Sequence, residues 1–415
     1  MITLDPQQIR PLFPALAQVV DGRPAVFFDA PGGTQVPQPV IDAIAAYLTH
    51  SNANTHGAFL TSQRSDALVE AAHAAVADLL GCAPDEVVFG QNMTSLTFAL
   101  SRSLGREFGP GDEIVVTRLD HDANVAPWRA LEERGVTVHA VDIDVEDCTL
   151  DMDDFAAKIN PRTKLVAVGY ASNAVGTIND VRRVVELAHA VGALAFVDAV
   201  HYAPHGPLDV KALDCDFLAC SAYKFFAPHV GCLYGKRTHL ERLRPYKVRP
   251  AADTTPDRWQ TGTQNHEGLA GVVAGITYLA DLAPTGGTRR ERLVTAMQRI
   301  KDYERSLSEQ LVNGLLAIPG LTFYGIRATA QFDRRTPTVA FRLAGHTPRA
   351  IAEALGSQGI FVWDGNYYAL SLSERLGVEA DGGMVRVGLA HYSMADEVAR
   401  LLAAIRELAQ AGEGS

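Results

Sequence analysis

Asp216-Phe217-Leu218-Ala219-Cys220-Ser221-Ala222-Tyr223-Lys224 is an apolar run that ends on a lysine. The run reads as a buried strand of a parallel sheet, because strands covered on both faces are apolar almost throughout. A lysine emerging where such a strand stops sits in the crevice where open α/β sheets bind their ligands. A second run upstream, Ala193-Leu194-Ala195-Phe196-Val197, ends on Asp198, which faces the same crevice. Taken singly, the two residues read most simply as a surface lysine and a turn aspartate. Taken together they meet the needs of pyridoxal 5'-phosphate: a lysine for the Schiff base, and a carboxylate that keeps the pyridine nitrogen protonated.

Working outward, strands and helices alternate from residue 87. Val87–Phe89, Glu113–Thr117, Val136–Val141, Lys164–Gly169, Ala193–Asp198 and Asp216–Ser221 are the expected strands. Such alternation predicts an α/β fold with crossover connections and a mainly parallel central sheet. An amphipathic helix is expected over Arg64 to Leu80, and another from Leu96 to Leu104. Ala283-Pro284-Thr285-Gly286-Gly287 interrupts the chain. A long charged helix then runs to about Ile318, followed by strands at Thr338–Leu343, Ile360–Trp363 and Met384–Leu389 and helices at 347–356 and 393–409. The expected organisation is an N-terminal segment (1–24) packing near a small domain, a large domain (25–283) and a small α+β domain (288–411).

Further residues gather at the strand ends. Gln91-Asn92-Met93-Thr94-Ser95 joins the first strand to a helix. Thr94 and Ser95 are ordinary capping residues there, and the same geometry is an anion cradle for a phosphate. His121 follows the second strand, as a loop histidine or as an imidazole that stacks on a ring or moves a proton. Asn173 has the equivalent place after 164–169, either as a turn residue or as a donor to the cofactor or substrate. Arg386 interrupts an apolar strand, so it needs either a structural ion pair or a bidentate substrate carboxylate. The loop Pro31-Gly32-Gly33 reads equally as a turn and as bare backbone for a ligand. The basic stretch from Gly235 to Arg249 reads as a solvated or interface surface.

Composition narrows the classes. The chain has 415 residues, 47% hydrophobic and 20% charged, long enough for two cores. Lys+Arg 37 against Asp+Glu 48 leaves −11, which offers no basic field to nucleic acid or to an anionic membrane. No apolar span approaches the ~20 residues of a membrane helix. Residues 1–10 lack the apolar centre of a signal peptide, and no dinucleotide or P-loop glycine pattern occurs. Cys82, Cys148, Cys215, Cys220 and Cys232 show no zinc spacing. No metal site is therefore expected, and the setting expected is reducing and cytoplasmic.

Asp120-His121-Asp122-Ala123-Asn124-Val125-Ala126-Pro127-Trp128, Ser172-Asn173-Ala174-Val175-Gly176-Thr177, Ser221-Ala222-Tyr223-Lys224 and Gly262-Thr263-Gln264-Asn265 together resemble the class V aminotransferases of fold type I. The branch most similar is that of cysteine desulfurases and selenocysteine lyases, over about Phe28 to Leu408. The resemblance implies that Lys224 forms the Schiff base, Asp198 pairs with the pyridine nitrogen and His121 stacks on the ring. It implies a phosphate site at Met93, Thr94 and Ser221, with Thr263 reaching the phosphate of a neighbouring subunit. The enzyme would then be a homodimer with active sites at the subunit interface. His201 and Asn173 fall at cofactor-binding positions, and Arg386 matches the arginine that grips the substrate carboxylate.

Three positions depart from the desulfurase pattern. Glutamine is usual where His201 stands, and a histidine there is similar to isopenicillin epimerases. Histidine is usual where Tyr223 precedes the lysine. The third is the small-domain loop, Phe361 to Leu370, where Tyr368 occupies the place of the sulfur-attacking cysteine, and no cysteine follows Cys232. A phenol cannot carry a persulfide. The expectation is therefore β-elimination on cysteine or a cysteine-derived thioether, with Tyr368 at the substrate. Transamination, epimerisation and a weakly active cofactor-binding scaffold are the alternatives.

Overall fold

The computed structural model describes residues 4–412, so the first three residues of the expected 1–24 segment lie outside the described residues. After a single helical turn at Pro6–Ile9, two longer helices precede the main sheet, α1 (Gln38–His50) and α2 (Leu60–Leu80). The sequence reading missed α1, whose entry is masked by Pro37 and Pro39, although proline is well tolerated in a first turn. It also started α2 too late. Exposed Phe59 and Leu60 carry no periodic signal, yet the helix begins there.

Seven strands form one sheet: β1 (Val87–Gly90), β2 (Glu113–Thr117), β3 (Thr137–Val141), β4 (Thr163–Gly169), β5 (Leu194–Asp198), β6 (Phe217–Ser221) and β7 (Gly231–Gly235). Their order is β1-β7-β6-β5-β4-β2-β3, and only β7 runs antiparallel to its neighbours. Side chains alternate between two apolar layers. Val166, Val168, Val197 and Leu218 enter one core; Leu165, Ala167, Phe196 and Phe217 enter the other. That is why these strands read as continuous apolar runs.

Strand β7 was not expected, because its bracketing glycines read as turns. Gly231 is needed for close approach: a Cβ there would come within 2.5 Å of the Asn92 backbone. Helix α3 (Met93–Leu104) follows β1 and begins earlier than the expected Leu96. Its cap is Asn92, whose side chain accepts from Ser95 N, rather than Thr94 or Ser95. Helix α4 (Val181–Ala190) packs on β4 and β5.

Beyond the sheet, α5 (His266–Asp281) lies against α1 and α2, and α6 (Arg289–Leu316) leads to the second sheet. That sheet is antiparallel: β8 (Leu321–Tyr324), β9 (Thr338–Leu343), β10 (Trp363–Gly365) and β11 (Met384–Gly388), in the order β8-β9-β11-β10. The expected strand 360–363 is split in two. Ile360–Phe361 pairs in parallel with Val26–Phe27, and the chain then crosses to pair Trp363–Gly365 with β11. Helix α7 (Ala395–Gly412) packs on α6. The basic stretch 235–249 is solvated and ion-paired, for example Arg237 to Asp85 at 2.6 Å and Lys236 to Asp214 at 2.8 Å.

Candidate active site

The carboxyl ends of the parallel strands open into a cleft of about 930 Å³, lined by Met93, Thr94, His121, Asp198, Ser221 and Lys224 among others. His201 and Asn173 also line it. A second chamber, about 560 Å³, shares His121, Tyr223, Lys224 and Tyr368 with the cleft and reaches Arg386 and Trp363. Nine of the cofactor and substrate candidates thus converge with Lys224 on one connected space. Thr263 does not: it is exposed and lines neither chamber.

Lys224 ends a single 3₁₀ turn after β6, and its Nζ donates to Pro31 O. The loop Pro31-Gly32-Gly33 is therefore both a turn and a wall of the site: Gly32 N donates to Asp29 O at 2.8 Å, and Gly32 lines both chambers. Burial pushes the Lys224 ammonium down to about 7; Arg386 adds to this and Asp198 opposes it. Asp198 is the last residue of β5, and its Oδ1 accepts from Val200 N at 2.9 Å. Burial pushes its carboxyl up to about 6, with that N–H and Lys224 pulling the other way.

The first turn of α3 carries four N–H groups without intrahelical partners. Of these, Met93 N donates to Ser221 Oγ at 3.0 Å and Ser95 N to Asn92 Oδ1 at 2.9 Å, and the intrahelical ladder begins with Leu96 N to Asn92 O at 3.2 Å. Thr94, between Met93 and Ser95, lines the cleft at the positive end of a 12-residue helix. Nearby, His121 Nδ1 accepts from Ala123 N at 3.0 Å, which leaves the imidazole proton on Nε2. Burial, then Lys224 and Arg386, push His121 down to about 4, so it is neutral at physiological pH.

Asp120 escaped the sequence reading as a working residue, although it directly precedes His121. Its Oδ1 accepts from Gly169 N at 2.7 Å, joining the ends of β2 and β4, and burial pushes its carboxyl up to about 8. The signal was a carboxylate in a motif, with nothing local to say that it is buried. His201 Nε2 lies 3.1 Å from Thr336 Oγ1, and behind it His205 Nδ1 meets the buried Glu304 at 2.7 Å.

Arg386 projects from β11 and is buried. One guanidinium nitrogen donates to Asn173 O at 2.9 Å, the group lies 4.2 Å from the Tyr367 ring centroid, and Nε has no partner. No described carboxylate forms an ion pair with it; Asp29 is felt only through its charge. Burial pushes Arg386 down to about 10, which leaves it cationic at neutral pH. Asn173 Nδ2 donates to Tyr367 O at 2.9 Å, and its buried Oδ1 has no partner.

These groups fit pyridoxal phosphate. A buried amine could hold the aldehyde carbon, the Asp198 carboxylate the ring nitrogen, and the α3 start with Thr94 and Ser221 the phosphate. Covalent capture of the cofactor needs the neutral amine. With Lys224 at about 7, capture by apoprotein should quicken about tenfold per pH unit below that value and level off above it. Stopped-flow absorbance over roughly pH 5 to 10 reads this; a rate still climbing near the ordinary lysine value would contradict the buried amine. Among the described residues, no cluster of three or more His, Cys, Asp or Glu could hold a metal, and no helix is long and apolar enough to cross a membrane.

A family model described as Aminotransferase class-V matches residues 26–401. The chain is 33% identical to a probable cysteine desulfurase of Mycolicibacterium paratuberculosis, covering 98% of this chain and 59% of that protein. It is 32% identical to a cysteine desulfurase of Pectobacterium atrosepticum, covering 97% of each. Among solved structures, the apo cysteine desulfurase of Thermococcus onnurineus NA1 superposes with a TM-score of 0.88 at 28% identity, covering 99% of both chains.

Proposed function

The chain belongs to the class-V aminotransferase family, and from that membership we propose that this pyridoxal phosphate enzyme cleaves the C–S bond of cysteine or a cysteine thioether by β-elimination. The observation that carries the reading is the lack of a thiol at the site. All five cysteines precede residue 233 and none lines either chamber. Burial pushes the Cys82 and Cys148 thiols up to about 12, far from a nucleophilic thiolate. Tyr368 stands over the site instead, its ring stacked on His121 at 5.4 Å.

When bound, pyridoxal phosphate supplies the electron sink that acidifies the substrate Cα–H. In our reading Arg386 takes the substrate carboxylate and Asn173 steadies Arg386 through its carbonyl. Lys224 Nζ accepts the Cα proton, a role supported by an amine held down to about 7, so that a substantial fraction is neutral near that pH. Asp198 keeps a proton on the pyridine nitrogen. His121 can donate a hydrogen bond from Nε2–H to the leaving sulfur. The Cα–H and C–S bonds break, the sulfur departs with its bonding pair, and water converts the three-carbon enamine to pyruvate and ammonia.

The working unit is taken to be a homodimer in which Thr263 serves the phosphate end of the other protomer's site; its exposure outside its own cleft supports this. Residues 25–283 and 288–411 are taken as the two domains, since each of the two main sheets draws all its strands from one of them. A reducing, cytoplasmic setting suits five unpaired thiols.

Holoenzyme incubated with L-cysteine and a series of S-substituted L-cysteines should yield pyruvate and ammonia in equal amounts, identified by mass spectrometry. Alanine as the carbon product would mean desulfuration and would overturn the reading.

A further inference from the structure

We propose that the chamber beside Arg386 takes a planar aromatic group carried on the substrate sulfur, with Tyr368 as the ring that stacks on it. The proposal rests on the C–S lyase reading and adds the class of thioether. Among the described residues Tyr368, at 73% exposed, is the most exposed of the large hydrophobic side chains, and its hydroxyl has no partner there. An aromatic ring left in solvent usually belongs to a mobile side chain on a relaxed loop. Here the backbone does the opposite.

Tyr367 and Tyr368 are successive non-glycine residues in the left-handed region, at φ 56° and 60°. Side chains disfavour this conformation, and it persists only where surrounding contacts hold it. Four hydrogen bonds do so. Tyr368 N donates to Asn366 Oδ1 at 3.0 Å, and Asn366 Nδ2 is itself anchored on Glu379 at 2.9 Å. Asn173 donates to Tyr367 O at 2.9 Å, and Asp122 N to Tyr368 O at 2.7 Å. The last two bonds come from the loops after β4 and β2, so both sides of the cleft fix this one peptide segment. At Tyr367 the strained backbone places a ring against the core and under Arg386, but at Tyr368 it stabilises no core packing, because that ring stays exposed. What it does is set that ring nearly parallel to His121, at 19° between planes, over the junction of the two chambers.

Size and lining agree with an aromatic occupant. A chamber of about 560 Å³ is in the range that holds drug-sized ligands, beyond the needs of a cysteine thiol. Its walls include Tyr223, Trp363, Tyr367 and Tyr368, and Trp363 is held half-exposed by Nε1 donating to Asp29 O at 3.2 Å. Offset ring stacking is the favoured contact for such a wall.

The test compares S-phenyl-L-cysteine with S-methyl-L-cysteine on holoenzyme, reading pyruvate release, and pairs it with a binding measurement. Calorimetry with 3-(phenylthio)propanoate and 3-(methylthio)propanoate, which lack the amino group and cannot react, reads the chamber alone. The phenyl compounds should be preferred at least about tenfold in both assays, the scale of one well-placed aromatic contact. Tyr368→Ala should shrink that preference about tenfold, mainly through KM, and Tyr368→Phe should keep it. Equal affinity for the two propanoates, or a preference untouched by Tyr368→Ala, overturns the proposal. Pyruvate from neither cysteine, alongside a Tyr368-dependent phenyl preference in calorimetry, overturns the lyase reading and leaves this one standing.

Discussion

Lys224→Ala is expected to lose turnover by about 10⁴-fold, the upper end of what a positioned proton-transfer group contributes, and to lose covalent capture of the cofactor outright. Borohydride reduction of the holoenzyme, digestion and mass spectrometry should find the cofactor on the peptide that holds residue 224 in the wild type and nowhere in the variant. Unfolding is not the explanation to expect. Lys224 is held at about 7, well under the ordinary lysine value, so between those two values the unfolded chain binds more protons than the folded one. Stability from this group therefore rises with pH across that window, and at neutral pH the buried ammonium is a burden on the apo fold. Alanine removes the burden. The apo variant should melt at or above the wild-type temperature, and a variant that is both stable and turning over within tenfold of wild type would refute the assignment of Lys224.

How much of this could be read before the fold was in hand depends on how local each signal is. The parallel strands β1, β2, β4, β5 and β6 were legible because each is an apolar run long enough to be buried on both faces, whereas the edge strand β3 is half-buried and showed through its place in the alternation. Strand β7 was not, since Gly231 and Gly235 carry turn chemistry and only the neighbours β1 and β6 make it a strand. The lysine and the carboxylate were legible because they end such runs. The state of those groups was not. That Lys224 is partly deprotonated near neutrality and that Asp120 holds its proton are consequences of burial and of partners distant in sequence, and that Nδ1 of His121 is spoken for follows from the local turn to Ala123. Tyr368 was legible at the place of the missing cysteine, but the left-handed backbone it shares with Tyr367 was not, because Asn173 and Asp122 impose it from far upstream.

Arg386→Ala should lower kcat/KM by about 10²- to 10³-fold, the range for removing one partner of a buried charged pair. The wild-type guanidinium is buried, cationic, without a carboxylate partner, and left with an unsatisfied Nε. Such a group is unstable unless an anion completes it, and a substrate carboxylate is the anion that a bidentate fork fits. Loss of activity alone would not establish this, because the residue also donates to Asn173 O and lies on the Tyr367 ring. The discriminating measurement uses a substrate pair that differs only in the carboxylate, S-methyl-L-cysteine and 2-(methylthio)ethylamine, read by the shift in cofactor absorbance. Wild type should favour the carboxylated compound by the same factor, and Arg386→Ala should bind the two alike. Arg386→Lys should recover little, since an ammonium offers a point charge in place of two parallel N–H donors. A variant that still favours the carboxylated compound would put the carboxylate elsewhere and leave Arg386 as a packing residue. A second consequence follows from the same charge: Arg386 helps hold Lys224 down, so removing it should move the midpoint of cofactor capture to higher pH.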